Sequence, residues 1–240
     1  RCDIYTDVDG VYTTDPRICD AARKLDRIAF EEMLELASLG AKVLQTRSVE
    51  LAMAKQVPVR VLSSFIEPDE NGLLPARSGT LICDEEEIVE KRIVSGVTMS
   101  RDEARITLLG LSDRVEAPAD VFTLLAEANV NVDMIVQSQA RSEGAVNLTF
   151  TTGRRDAQRA AELMRAAQGQ IGFEELRVDE DVAKVSVVGV GMRSHAGVAQ
   201  TMFRALADKG VKFQAISTSE IKISVLIDAA YAELAVRALH

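Results

Sequence analysis

The sequence predicts an α/β layer followed by two copies of a smaller α+β module, and three observations carry that reading. Residues 1–66 read strand, helix, helix, strand. The stretch IEPDENGLLPARSGT, residues 66–80, then breaks both helical and strand periodicity with two prolines and two glycines. Beyond it, whole segments recur with a period of about 80 residues, the mark of a duplicated unit.

Taken in order, residues 2–6 read as the end of a strand that enters a polar loop, TDVDGVYTTDPR, residues 6–17. In DRIAFEEMLELASLG, the positions Ile28, Phe30, Met33, Leu34, Ala37 and Leu39 form one broad helical stripe, with Gly40 as its stop. Ser48 is read as the N-cap of a second helix through VELAMAKQ. VPVRVL follows as a strand, its Pro58 tolerable near the strand start. The break at 66–80 is the expected domain boundary. The acidic DEEEIVEKR after it reads as a solvated linker face, with Glu87 and Lys91 at the i, i+4 spacing of a helical pair.

The repeat then pairs ARITLLGL with AKVSVVGV, DVFTLLAEANV with QTMFRALADKGV, VDMIVQS with FQAISTS, and AVNLTF with IKISVL. Each copy reads strand, loop, helix, strand, strand and a closing helix, DAQRAAELMRAA in the first and AELAVRAL in the second. RIVSGVTM, residues 92–99, is an extra strand that could complete either module.

Composition narrows the function. A net charge of −9 and only 4% aromatic residues, with no tryptophan, argue against a nucleic-acid or anionic-membrane surface. Three separated cysteines without a CxxC pair read as reduced, cytoplasmic thiols. No apolar run approaches the ~20 residues that span a bilayer. A chain that starts at Arg1 is expected to be a fragment or a processed product.

Several groups could carry chemistry. Asp7, Asp9 and Gly10 lack the further acids of a calcium loop, so that reading fails on spacing. A plain turn between strand and helix explains DVDG. A nucleotide loop is the alternative: an acid for ribose or a magnesium-bound phosphate, Tyr12 as a flat surface for a base, and Arg17 and Lys42 as phosphate cations. Singly, none of these is specific. His195 and His240 are too far apart to argue a metal site, and STSE has no visible base to make a nucleophile. In both modules a polar loop, SDRVEAPAD or GMRSHAGVA, leads into the first helix and offers outward amides suited to a carboxylate.

Longer motifs add a resemblance. TDVDGVYTTDPR, AFEEMLELASLGAKVLQTRSVELA and VPVRVLSSF resemble the last third of the catalytic domain of aspartokinases. GTLI, VNVDMIVQ, VGVGMRSHAGV and ISTSEIKISVLI resemble the tandem ACT domains of that family. The resemblance implies part of an amino-acid-kinase α/β sandwich at 1–66, a linker at 67–91, and two ferredoxin-like βαββαβ ACT domains at 92–178 and 179–240.

It also implies a reaction: Mg-ATP phosphorylates the β-carboxylate of L-aspartate to 4-phospho-L-aspartate, the first step toward lysine, threonine and methionine. Thr6, Asp7, Tyr12, Arg17 and Lys42 would line the ATP pocket, while the catalytic residues are expected upstream of Arg1. The effector, L-lysine, L-threonine or both, would lie between the first ACT domain of one chain and the second of its partner in a homodimer. The matching positions are Asp113, Asn131, Val132, Asp133 and Gln137, with Lys212, Phe213, Ser217, Thr218 and Ser219. Two departures stand out: Glu116 replaces a family glycine, and Lys212 replaces an asparagine common in relatives. Both are expected to alter or weaken feedback, with Glu116 and Lys212 pairing across the interface. A non-catalytic amino-acid-binding ACT module or subunit is the alternative function.

Overall fold

The computed structural model describes residues 1–67, 78–88, 92–140, 142 and 144–240. The first unit holds β1 (Cys2–Thr6), β2 (Arg27–Ala29), α1 (Phe30–Ser38), α2 (Thr46–Ala54), β3 (Val59–Ser63) and β4 (Thr80–Cys83). Its four strands are ordered β1-β3-β4-β2, with β1 parallel to β3, β4 antiparallel to β3, and β2 parallel to β4. Phe30, Met33 and Leu36 of α1 pack on Ile28, Val59, Val61 and Ile82 of the strands, the apolar stripe meeting the sheet face.

Three details correct the sequence reading. Ile28 belongs to strand β2 and not to the helix that follows. Ser48 lies inside α2, because the Gln45 carbonyl already accepts the amides of Ser48 and Val49 and the helix starts at Thr46. Thr80–Cys83, within the GTLI grouped with the repeated modules and the stretch read as linker, is a strand between β3 and β2. Strands of three or four residues carry too few positions to show alternation. The Glu87–Lys91 pair falls partly outside the described residues.

The remaining chain forms β5 (Gly96–Ser112), α3 (Ala117–Glu127), β6 (Val132–Gln139), β7 (Ala145–Thr152), α4 (Arg154–Ala166), α5 (Gln168–Ile171), β8 (Glu175–Val188), α6 (Val198–Asp208), β9 (Phe213–Thr218), β10 (Lys222–Asp228) and α7 (Ala232–Leu239). One six-stranded antiparallel sheet runs β6-β7-β5-β8-β10-β9. Its two central strands are long and shared. Glu103–Leu109 of β5 pair with Glu175–Val182 of β8, while Gly96–Ser100 pair with Lys184–Val188, with irregularities at Ser100 and Glu103 between the two halves. The segment 96–100 therefore sits beside the strand that begins the second repeat.

α3 and α4 cover one half of the sheet through Val121, Leu125, Ala160 and Met164, and α6 and α7 cover the other through Met202, Leu206, Ala235 and Val236.

The first unit is joined to the second module by buried polar contacts. Glu32 of α1 is 2% exposed. Its Oε1 accepts from the Ser95 hydroxyl at 2.6 Å and the Val190 amide at 2.8 Å, and its Oε2 accepts from the Ala29 amide at 3.2 Å. Lys222 pairs with Glu35 at 3.0 Å, and the Val97 amide donates to the Thr13 carbonyl at 2.8 Å. Gly189 allows the close approach behind Val190: a Cβ there would lie 2.3 Å from the Ile93 carbonyl oxygen.

Candidate functional site

The polar loop after β1 is a pinned structure. The Thr6 hydroxyl accepts from the Val8 amide at 3.0 Å and turns the chain out of the sheet, leaving Asp7 exposed. Val11 to Thr13 then run beside Arg23 to Leu25: the Leu25 amide donates to the Val11 carbonyl at 2.8 Å and the Thr13 amide to the Arg23 carbonyl at 2.9 Å. The buried Thr80 hydroxyl bolts both arms to β4, accepting from the Val11 amide at 2.8 Å and donating to the Leu25 carbonyl at 2.6 Å. Gly10, at φ +150°, fits because a Cβ would come within 2.6 Å of the Thr80 hydroxyl oxygen and 2.9 Å of Lys24 Cδ.

Two ion-paired groups hang on this frame. Tyr12 donates its hydroxyl to Asp9 Oδ1 at 2.9 Å, and Lys24 donates to Asp9 Oδ2 at 3.1 Å. Burial opposes ionisation of Asp9, but bonds from Lys24 and Tyr12 outweigh it and hold the carboxyl below its usual range. Burial and the same Asp9 contact push the Tyr12 phenol up, so it stays protonated. Arg17 gives Nε and Nη2 to Asp15 at 3.0 and 2.7 Å while its side chain stays 88% exposed. Its hydrogen bond from Arg17 keeps the Asp15 carboxyl below the usual range. Asp15, and at longer range Asp7, raise the Arg17 guanidinium further. The structure thus brings Asp15 and Arg17 together. Lys42 is exposed on the α1–α2 turn, whose Ala41, Val43 and Leu44 pack on the same core as Val11.

The sequence reading missed Asp15 and Lys24 as partners. Asp15 was within reach, two residues before Arg17. Lys24 lies in a segment without periodicity, and only the bridge pairing Tyr12 with Lys24 sets it beside the loop. The two histidines are exposed and hydrogen-bonded within the chain: His195 Nδ1 donates to the Gly191 carbonyl at 2.8 Å, and His240 hydrogen-bonds with the Thr13 hydroxyl at 2.8 Å.

Most of the expected effector residues fall on or beside the two edge strands of the six-stranded sheet, β6 and β9, whereas Asp113 and Glu116 lie between the central strand β5 and α3. Asp113, Glu116, Asn131, Gln137, Lys212, Thr218 and Ser219 are exposed, and Val132 and Ser217 are half-buried. Phe213 stacks obliquely on Phe203 with ring centroids 5.2 Å apart. Glu116 has ordinary helical backbone, φ −82° and ψ −19°, so its side chain adds bulk and charge without strain. Neither Glu116 nor Lys212 forms an ion pair among the described residues. Asp133 is different: it pairs with the buried Lys184, which also binds buried Glu103 at 2.7 Å. Burial disfavours the Lys184 ammonium, but Glu103 and Asp133 more than offset this and raise its pKa. Met134 of β6 and Ala215 of β9 meet over Val182 and Leu226, so the edge strands approach each other across the sheet.

Comparison with known proteins bears on both sites. The amino acid kinase family matches residues 1–63, and ACT domains match residues 105–169 and 185–240. The aspartokinase of Pseudomonas aeruginosa is 53% identical over 242 residues, covering all of this chain and 56% of that protein. A crystal structure of aspartokinase alpha and beta subunits is 44% identical, with a TM-score of 0.58, and covers 61% of this chain and 96% of the solved one. This chain belongs to the aspartokinase family. Escherichia coli aspartokinase III, solved with aspartate and ADP, resembles it over 100% of this chain and 51% of that one, at 31% identity and a TM-score of 0.80. The same enzyme solved with lysine and aspartate gives 30% and 0.77. Relative to the curated aspartokinases, the chain spans just over half of their length.

Proposed function

We propose that this chain supplies the nucleotide side and the regulatory half of an aspartate kinase, which transfers the γ-phosphoryl group of Mg-ATP to the β-carboxylate of L-aspartate. One observation carries the reading: the pinned loop with Tyr12 and Arg17 lies in a chain similar along its whole length to an aspartokinase solved with aspartate and ADP. Phosphoryl transfer relies on positioning and charge neutralisation. Arg17 keeps Nη1 for a phosphate after giving Nε and Nη2 to Asp15, Lys42 adds a second cation, and Tyr12 offers a ring held at a fixed angle to the nucleoside. Thr6 shapes the turn, and Asp7 would face the ribose or the magnesium that arrives on the phosphates. The aspartate-binding and catalytic residues belong to the part of the family fold outside this chain.

The regulatory reading assigns an effector amino acid, L-lysine or L-threonine, to Asp113, Asn131, Val132, Asp133 and Gln137 facing Lys212, Phe213 and Ser217 to Ser219 of a partner in a cytoplasmic homodimer. Under this reading the second ACT domain counts strand 96–100 as its own, which the pairing with Lys184–Val188 supports. Glu116 and Lys212 would shift effector affinity. A purely regulatory subunit is the second reading, favoured by the 96% coverage of a solved subunit chain.

An aspartyl-hydroxamate assay on the full-length protein that carries this chain tests the activity. Arg17→Ala is expected to raise the KM for ATP by about ten- to a hundredfold, the worth of a charge-assisted hydrogen bond. An unchanged KM would remove Arg17 from the site. No turnover in the full-length protein would leave the regulatory-subunit reading.

A further inference from the structure

We propose that Lys24 is a positioning residue for the nucleotide, acting through Asp9 on the ring of Tyr12. The inference rests on the reading of Tyr12 as a nucleotide contact and adds a residue to that site. Three observations carry it. Asp9 divides its two oxygens, Oδ1 accepting from Tyr12 at 2.9 Å and Oδ2 from Lys24 at 3.1 Å, so the carboxylate plane is fixed from both sides. Tyr12 and Lys24 are antiparallel bridge partners, which sets their side chains on one face, and the bridge is bolted to β4 through Thr80. The Lys24 stem lies against Gly10, where any side chain would collide with its Cδ at 2.9 Å, so the ammonium is led to Asp9 along a closed path.

Asp9 alone could turn about its terminal torsion and release the phenol. With Lys24 on the other oxygen it cannot turn without breaking an ion pair that is only 28% exposed on the lysine side. The pair is electrically neutral, so Lys24 is not offered as a phosphate ligand. Its contribution is that Tyr12 is ordered before the nucleotide arrives, and ordering one side chain in advance is worth about two- to tenfold in affinity.

The experiment measures KM for ATP and kcat in the full-length kinase for Lys24→Met, Lys24→Arg, Asp9→Asn and Tyr12→Phe, and for the Lys24→Met/Tyr12→Phe pair. Lys24→Met is expected to raise KM about two- to tenfold with kcat little changed, and Lys24→Arg to restore it. Asp9→Asn, which breaks the same link without altering the lysine stem, should match Lys24→Met. In the Tyr12→Phe background, where the hydroxyl is gone, Lys24→Met should have no further effect. Equal factors in both backgrounds would overturn the proposal, because Lys24 would then act on the nucleotide or the fold directly. An unchanged KM for Lys24→Met would overturn it as well. Tyr12→Ala separates the two levels: if it leaves KM unaltered the parent reading of Tyr12 fails, whereas if it raises KM while Lys24→Met does not, only the positioning role fails.

Discussion

Replacing Glu32 with alanine should separate the first unit from the second module. The side chain is 2% exposed and takes three donors, two of them, the Ser95 hydroxyl and the Val190 amide, from across the junction. A hydrogen bond to a charged group is worth about 1.5–3 kcal/mol, and each buried donor left without an acceptor costs about 1–3 kcal/mol. Two cross-junction bonds amount to about 3–6 kcal/mol. Removing a buried carboxylate returns part of that through relieved desolvation. The net expectation is about 3 kcal/mol, lost mainly from the contact between units. Urea unfolding followed by far-UV circular dichroism suits a chain without tryptophan. With a slope of about 3 kcal/mol per molar, the midpoint should fall by about 1 M, or one transition should split into two. Glu32→Gln keeps an acceptor oxygen for Ser95 and Val190 and should lose less than half as much. A midpoint within about 0.2 M of the parent for Glu32→Ala would refute the argument, since the three bonds would then contribute nothing net.

Other outcomes follow from the same geometry. Lys184→Met leaves Glu103 buried without its cation and should cost about 3–5 kcal/mol in the same assay, and adding Glu103→Leu should recover most of it. Gly189→Ala places a methyl 2.3 Å from the Ile93 carbonyl oxygen, backbone that cannot yield cheaply, so its thermal midpoint should fall by several degrees. Acid and alkaline arms differ in cause. The carboxyls of Asp9 and Asp15 titrate below 3.8 in the folded chain, so their contribution is present above that value and lost as pH falls through the folded one. Lys184 titrates above 10.5, so its contribution is present below that value and lost as pH rises past the folded one. The urea midpoint should therefore be nearly level between about pH 5 and 9 and decline on both sides.

Much of this was legible in the sequence because its signals are local. The duplicated modules announced themselves through β-branched strands and repeated helices, and α1 through its apolar stripe and Gly40. Arg17 and Tyr12 were legible as residue types in a polar loop. The partners that give them their geometry were not: Lys24 reaches Asp9 only because Thr80, in a strand of four residues, pins the two arms together. The sequence showed residues 92–99 as an extra strand but left open which module it completes, since an alternating pattern states which face a strand buries and not which neighbour it pairs with. The Asp133–Lys184 pair was missed for the same reason, its members lying on β6 and β8 with two strands between them in the sheet.

The shared strand has a consequence for synthesis on the ribosome. Gly96–Ser100 leave the exit tunnel before any of the first module, yet their partners Lys184–Val188 appear only after that module is finished. The nascent chain therefore carries an unpaired, β-prone segment through the making of a whole domain, and the second module closes through its longest-range contacts last. Slowing translation between β7 and β8 should lengthen that exposure and increase the share of chains that aggregate or pair with a neighbouring nascent chain.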